Sequence, residues 1–440
     1  MGSHGKPVSQ ELLRQAVARF RAGDLPGAER IFRQLAGERP RDPGPWNNLA
    51  IVLRAGGRLD EAVVAYHKAI EANRSDPRIH HNLGNALLDR GDHDLAIASY
   101  RTSLGLDPSY AEAHNSLGYA LQISGHVEDA EVSYRRALVS RPDYAEAFNN
   151  LGNALRLQNR VEEAIACYER AVALKPTYAN ALNNLGVILA ESHRLEEALR
   201  AYGRAIVIDP DFVAARCNRA TALLLRGDLA AGWPEYEWRL KVQDDSVLGQ
   251  RRTLVQPRWS GQDPAGKRVF VYAEQGLGDT LQFVRYCFML SARGARVVLE
   301  CQPELARLIR ATPGIETVLS RGEPVPEFDL HAALLSLPLG FETTVRAIPS
   351  PGPYLQADPG RQVAWAERVA PTHFRVGIAW AGRPDNPSDR RRSVSLSTLE
   401  PLARIAGVKL YSLQKGDRSR EAASPREGVE IVGSPTTIWW

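Results

Sequence analysis

Between a short apolar run and an apolar-periodic stretch, the chain reads Glu274-Gln-Gly-Leu-Gly-Asp-Thr280. Gly276 and Gly278 let a backbone turn sharply, and free amides at a helix start can face an anionic or hydroxyl-bearing ligand. Asp279 and Thr280 add a carboxylate and a hydroxyl to the same turn, although an aspartate placed there is also an ordinary helix N-cap. A dinucleotide fingerprint would need a third glycine where Leu281 stands. Farther on, Arg383 and Arg390-Arg-Arg392 make an arginine-rich loop whose charge is diluted by Asp385 and Asp389. A third pattern lies upstream. Asn48, Asn82, Asn150, Asn184 and Asn218 stand at multiples of 34 residues, with Ser116 breaking the row. A carboxamide is donor and acceptor at once, so such a row can pair with an extended peptide backbone. Asparagine is equally common at a solvated helix position, and both readings stay open.

The elements that position these residues differ between the two halves. Tyr66, Tyr100, Tyr134, Tyr168, Tyr202 and Tyr236 recur every 34 residues, with alanines such as Ala130 and Ala164 four places ahead. Ala50, Gly84, Gly118, Gly152, Gly186 and Ala220 keep the same period, and Leu53, Leu87, Leu121, Leu155, Leu189 and Leu223 follow one helical turn later. Gly57, Gly91, Gly125 and Gly227 mark turns between paired helices, with Asn159 and His193 in the equivalent places. One helix pair cannot bury both faces, so the units must stack. This register resembles a tetratricopeptide-repeat array of about seven units, beginning near 9, 43, 77, 111, 145, 179 and 213. Pro234 should shorten or kink the last helix. The resemblance implies that the asparagine row faces a concave groove. It is similar to the array of protein O-linked N-acetylglucosamine transferase, where such a ladder binds substrate polypeptide.

After Leu240 the period stops. Arg268 to Ala273, Ala295 to Glu300, Ile315 to Leu319 and Asp329 to Leu335 read as strands. Helices are expected from Leu281 to about Arg293 and from Pro303 to Ala311. Strands alternating with helices argue a parallel, Rossmann-like sheet. A second unit starts at the strand Phe374 to Trp380, continues through a helix capped by Ser397 and Glu400, and reaches Val408 to Leu413. Strand, Gly-Leu-Gly-Asp, then helix, with Trp233-Pro-Glu-Tyr-Glu-Trp238 and Gly377-Ile-Ala-Trp380, resembles bacterial proteins that join tetratricopeptide repeats to a GT-B glycosyltransferase domain of the heptosyltransferase type. That resemblance implies a general base at Asp279 for an acceptor hydroxyl, with Gly276, Gly278 and Thr280 in the substrate loop. It also implies a diphosphate contact from Arg383, Arg390, Arg391 and Arg392, a nucleotide sugar as donor, and no bound metal.

The expected fold class is therefore an α-solenoid of tetratricopeptide repeats followed by α/β Rossmann-like units of a partial GT-B fold. The expected domains are repeats over 9–242, a linker over 243–267, a first half over 268–348, a linker over 349–373 and an incomplete second half over 374–440. No segment after Gly416 supplies the donor-binding motif of the resembled family, which implies a truncated relative or a short pseudoenzyme. The expected function is sugar transfer to a polypeptide recruited by the repeats. The alternative is a non-catalytic interaction scaffold.

Composition narrows the partners. A formal charge of +4 over 440 residues gives no reason to expect nucleic acid. Cys167, Cys217, Cys287 and Cys301 form no CxxC pair, which fits free thiols in a reducing, cytoplasmic setting. No stretch reaches the roughly 18 apolar residues of a membrane span.

Overall fold

The computed structural model describes residues 5–242, 254–350, 352–366, 369, 373–382, 389, 393–423 and 430–432, with side chains from residue 10 onward. The chain divides into two compact units, residues 1–242 and 243–440.

The first unit is built from antiparallel helix pairs: α1 (Gly5–Arg21) with α2 (Leu25–Glu38), α3 (Pro43–Ala55) with α4 (Leu59–Ala72), and α5 (Pro77–Arg90) with α6 (His93–Leu106). Then come α7 (Ala111–Ile123) with α8 (Val127–Ser140), α9 (Ala145–Leu157) with α10 (Val161–Leu174), α11 (Ala179–Glu191) with α12 (Leu195–Ile208), and α13 (Val213–Arg226) with α14 (Leu229–Tyr236). The six pairs after the first start where the 34-residue period places them, and the α-solenoid expectation holds for this unit. Local chemistry sets the ends. Asp42 and Asp76 accept the backbone N–H groups of Gly44 and Arg78 ahead of Pro43 and Pro77, using the first-turn preference for a carboxylate and then proline. Asn159 and His193 take the left-handed turn at φ 60° where other units use glycine. Pro234 lies inside α14, which stops after eight residues and continues as a 3-10 turn over Glu237–Lys241.

The tyrosine period is a packing device. Tyr100, Tyr134, Tyr168 and Tyr202 are buried, and each ring lies against the glycine 16 residues before it. A Cβ on Gly84, Gly118, Gly152 or Gly186 would sit 2.5–2.7 Å from a ring carbon. The phenol oxygens also need partners: Tyr100 donates to Asn85 at 2.7 Å and Tyr168 to Asn153 at 2.8 Å. Ile51 occupies the corresponding place in the second pair, and among the described residues the buried Tyr66 hydroxyl has no hydrogen-bond partner.

Among the described residues, the second unit holds two parallel sheets. β1 (Arg268–Tyr272), β2 (Arg296–Cys301), β3 (Thr317–Ser320) and β4 (Leu330–Ala333) form one sheet in the order β3-β2-β1-β4. β5 (Phe374–Ile378), β6 (Val408–Ser412) and β7 (Ile431–Val432) form the other, in the order β5-β6-β7. β1 and β2 are central, and their apolar runs are buried throughout, as strands covered on both faces require. The segment after β1 is helical from Leu277–Phe283 (α15) and again from Arg285–Ala292 (α16). The helix therefore begins four residues earlier than Leu281, and Gly278 lies in its first turn. The short helix Leu396–Leu399 is preceded by Ser395, whose hydroxyl contacts those of Ser397 and Thr398, so the cap falls two residues before the expected Ser397.

The connecting segments carry structure of their own. Within 254–267, Trp259 is buried, donates its indole N–H to the Gln262 carbonyl at 2.8 Å, and packs against Gly340, where a Cβ would lie 2.4 Å from the ring. Within 349–373, Pro359–Ala366 is helical.

Candidate functional site

The first helices of successive pairs contact one another, and their less buried sides form one continuous face. On α7 this face carries Asn115, Ser116, Tyr119, Gln122 and Ile123, spaced as one helical stripe. The expected row Asn48, Asn82, Asn150, Asn184 and Asn218 lies on it, half-buried.

The structure adds a second row that the sequence reading missed: Asn47, Asn115, Asn149 and Asn183, with His81 completing it. Asn82 Nδ2 donates to Asn47 Oδ1 at 3.1 Å, Asn150 to Asn115 at 3.0 Å, Asn184 to Asn149 at 2.9 Å and Asn218 to Asn183 at 2.9 Å. His81 Nε2 meets Ser116 Oγ at 3.0 Å where the row is broken. Each of these four carboxamides is thus pinned by the preceding pair through a bond that spans 35 residues. Asn184 Nδ2 reaches Asn153 as well, at 3.3 Å. Among the described residues, the Oδ1 atoms of Asn82, Asn184 and Asn218 accept no hydrogen bond. The missed row has the same 34-residue period as the recognised one, so the period could have revealed it; the cross-pairing could not be read that way. Burial pushes His81 down to about 4, which keeps it neutral in this lattice.

Two other histidines of the array bond backbone carbonyls. His80 Nε2 and His114 Nε2 face the carbonyls of Arg74 and Pro108 at 3.0 and 2.9 Å. Trp46 and Arg216 donate to Pro40 and Pro210 in the same manner. Four side chains therefore satisfy the equivalent carbonyl, two residues beyond the ends of α2, α4, α6 and α12.

In the second unit the glycine loop leaves the carboxyl end of β1. Gly276 is the N-cap of α15, and its N–H donates to Asp279 Oδ2 at 3.1 Å. Asp279 is therefore the third residue of the helix reaching back to the cap, not the cap itself. Neither Gly276 nor Gly278 has a positive φ, and among the described residues no atom outside its own helix backbone and chain neighbours lies within 4 Å of where a Gly278 Cβ would stand. The loop thus leaves Gly278 open without needing glycine for its backbone conformation. Thr280 is buried, and its hydroxyl donates to Gln302 at 2.9 Å, so it braces the loop from below.

The strongest feature here is one to which the sequence assigned no role. Glu274 is 2% exposed, and its carboxylate accepts the backbone N–H groups of Leu334 at 3.1 Å and Leu335 at 3.3 Å. It ties the end of β1 to the end of β4, the point where the strand order reverses. Arg383, Arg390, Arg391 and Arg392 lie outside the described residues. Among the described residues no group of three or more His, Cys, Asp or Glu could hold a metal ion, and no helix is long and apolar enough to cross a membrane. The four cysteines are unpaired, and burial pushes the Cys301 thiol up to about 12.

With this geometry in view, the family models match within the first unit. Family models described as TPR repeat match residues 51–89, 84–125 and 152–192, and one described as Tetratricopeptide repeat matches residues 179–212. The fourteen helices are a tetratricopeptide-repeat solenoid. Protein FlbA of Caulobacter vibrioides is 32% identical over 236 residues, which cover 48% of this chain and 39% of that protein. The chain thus spans under half the length of this curated relative. Among solved structures, YrrB, described as a TPR protein with an unusual peptide-binding site, is 25% identical with a TM-score of 0.35, covering 42% of this chain and 95% of its own. A thermophilic TPR protein of Thermus thermophilus, TTC0263, is 25% identical with a TM-score of 0.36, covering 41% and 99% respectively.

Proposed function

We propose that the repeat array holds an extended segment of polypeptide along the face formed by its first helices. One observation carries this reading: the carboxamides of that face are fixed from one side by the preceding repeat and keep hydrogen-bonding capacity on the other. Donors and acceptors held in place before binding lose little freedom when a backbone pairs with them. Replacing Asn150 and Asn184 together with alanine is expected to weaken binding of a captured peptide about tenfold or more. Isothermal titration would check this, and unchanged affinity would return both residues to a purely structural role.

For the second unit we infer a glycosyltransferase-like reading, in which the array presents a polypeptide acceptor for sugar transfer from a nucleotide-sugar donor. The strand order β3-β2-β1-β4 supports it, because ligands of parallel α/β sheets sit beyond the carboxyl ends of strands where the order reverses. The Gly276–Thr280 loop lies at that point. Asp279 keeps Oδ1 unengaged among the described residues, and in this reading that oxygen takes the acceptor's proton as the hydroxyl attacks the sugar. The arginines at 383 and 390–392 would meet the diphosphate, and no metal takes part. A donor present at 100 times its dissociation constant stabilises a fold by about 2.7 kcal/mol. Millimolar UDP- and ADP-linked sugars are therefore expected to raise the melting temperature. If none does, a scaffold without turnover remains.

A further inference from the structure

The polypeptide-binding face is not uniformly polar. Tyr119, Ile123 and Leu157 are 46%, 42% and 54% exposed. Tyr119 and Ile123 stand one turn apart on α7, and Leu157 holds the place of Ile123 on the neighbouring first helix α9, 34 residues later. They make one apolar patch across two adjacent repeats near the middle of the array. It falls where the asparagine row is broken, since Ser116 on α7 is the short residue in that row. In the corresponding places on α5 and α11 stand Asp89 and Glu191. Each is held by an arginine of the preceding first helix: Arg54 Nε to Asp89 at 2.5 Å, and Arg156 to Glu191 through two bonds of 3.1 and 2.9 Å. Glu112 and Glu146, at the start of α7 and α9, are likewise paired with Arg141 and Lys175.

Resting on the groove reading above, we propose that Tyr119, Ile123 and Leu157 form an anchor subsite for one bulky apolar side chain of an extended, essentially uncharged polypeptide segment. The flanking carboxamides pair with any backbone and do not discriminate between sequences, so selectivity must come from the patch. The ion pairs on either side leave no net charge for an acidic or basic partner to match, and such a partner would have to break them. Packed helix axes lie about 8–10 Å apart, the length of about three residues of extended chain. The patch therefore accepts a single anchor with polar residues on either side.

The test is selection of random 12-residue peptides displayed on phage against the full chain and against Leu157→Ser. Leu157 is exposed, so its replacement by serine leaves the packed core of the array untouched. Peptides recovered on the natural chain are expected to share one Leu, Ile, Met, Phe or Trp with few charged neighbours, and to be lost on L157S. A synthetic copy of the best clone should bind about tenfold more weakly when its apolar residue becomes serine. If recovered peptides lack an apolar residue, are rich in charge, or bind L157S equally well, the anchor fails while the groove reading stands. If none is recovered, the groove reading itself falls. A concentration-dependent dimer in sedimentation that L157S abolishes would assign the patch to a second copy and overturn the peptide occupant.

Discussion

Tyr168→Ala is expected to destabilise the array by about 3–5 kcal/mol, the cost of deleting a buried aromatic and leaving a cavity behind. The ring is fully buried against Gly152, with its hydroxyl on Asn153. Asn153 keeps the Asn184 amide as a partner, so the loss is chiefly one of packing. Urea unfolding followed by circular dichroism measures it. In a solenoid each unit leans only on its neighbours, so hydrogen exchange should quicken first in α9 to α11, with α3 to α5 less affected. The reciprocal change, Gly152→Ala, places a Cβ 2.7 Å from the same ring and should cost about 1–3 kcal/mol through overpacking. A loss below about 1 kcal/mol for Tyr168→Ala would mean that the helices close over the space and that the ring is not the spacer between them.

Glu274→Ala is expected to cost the second unit about 2–6 kcal/mol. Two backbone N–H groups, of Leu334 and Leu335, lose their acceptor in a buried place, and each unsatisfied group costs about 1–3 kcal/mol. Glu274→Gln keeps one carbonyl oxygen for the two donors and should fall between the natural chain and the alanine variant. Hydrogen exchange read by mass spectrometry should show faster exchange over residues 268–335, with the repeat helices unchanged. Unaltered protection at Leu334 and Leu335 would show that the carboxylate does not hold the ends of β1 and β4 together. The same variant bears on the proposed acceptor site, because the Gly276–Thr280 segment starts two residues beyond Glu274.

The repeat unit was legible because its signals are local and periodic. Tyr134 four residues after Ala130 and glycine in the turns both act within a single pair of helices. The strands of the second unit were legible as apolar runs. The start of α15 was not, because Gly-Leu-Gly-Asp reads as a turn. The Asp279 carboxylate reaching back to the Gly276 amide makes it the first turn of a helix instead. The candidate groove was half legible. Asn82, Asn150, Asn184 and Asn218 stood out by their period, but each donates to a carboxamide 35 residues earlier, in another repeat. A period gives the positions on a helix and does not give the offset at which neighbouring helices meet.

By itself, the sequence determined the 34-residue solenoid and where six of its seven helix pairs begin, since a stack of like units follows from the chemistry of one unit. Only the tertiary structure decided that the asparagines form a pinned lattice, that an apolar patch interrupts it at Tyr119, Ile123 and Leu157, and that Glu274 bonds the backbone just beyond β4. Those three facts depend on residues brought together from different repeats, or from strands about 60 positions apart in the chain. Strand order and the stacking offset place them, and neither is written in any one segment.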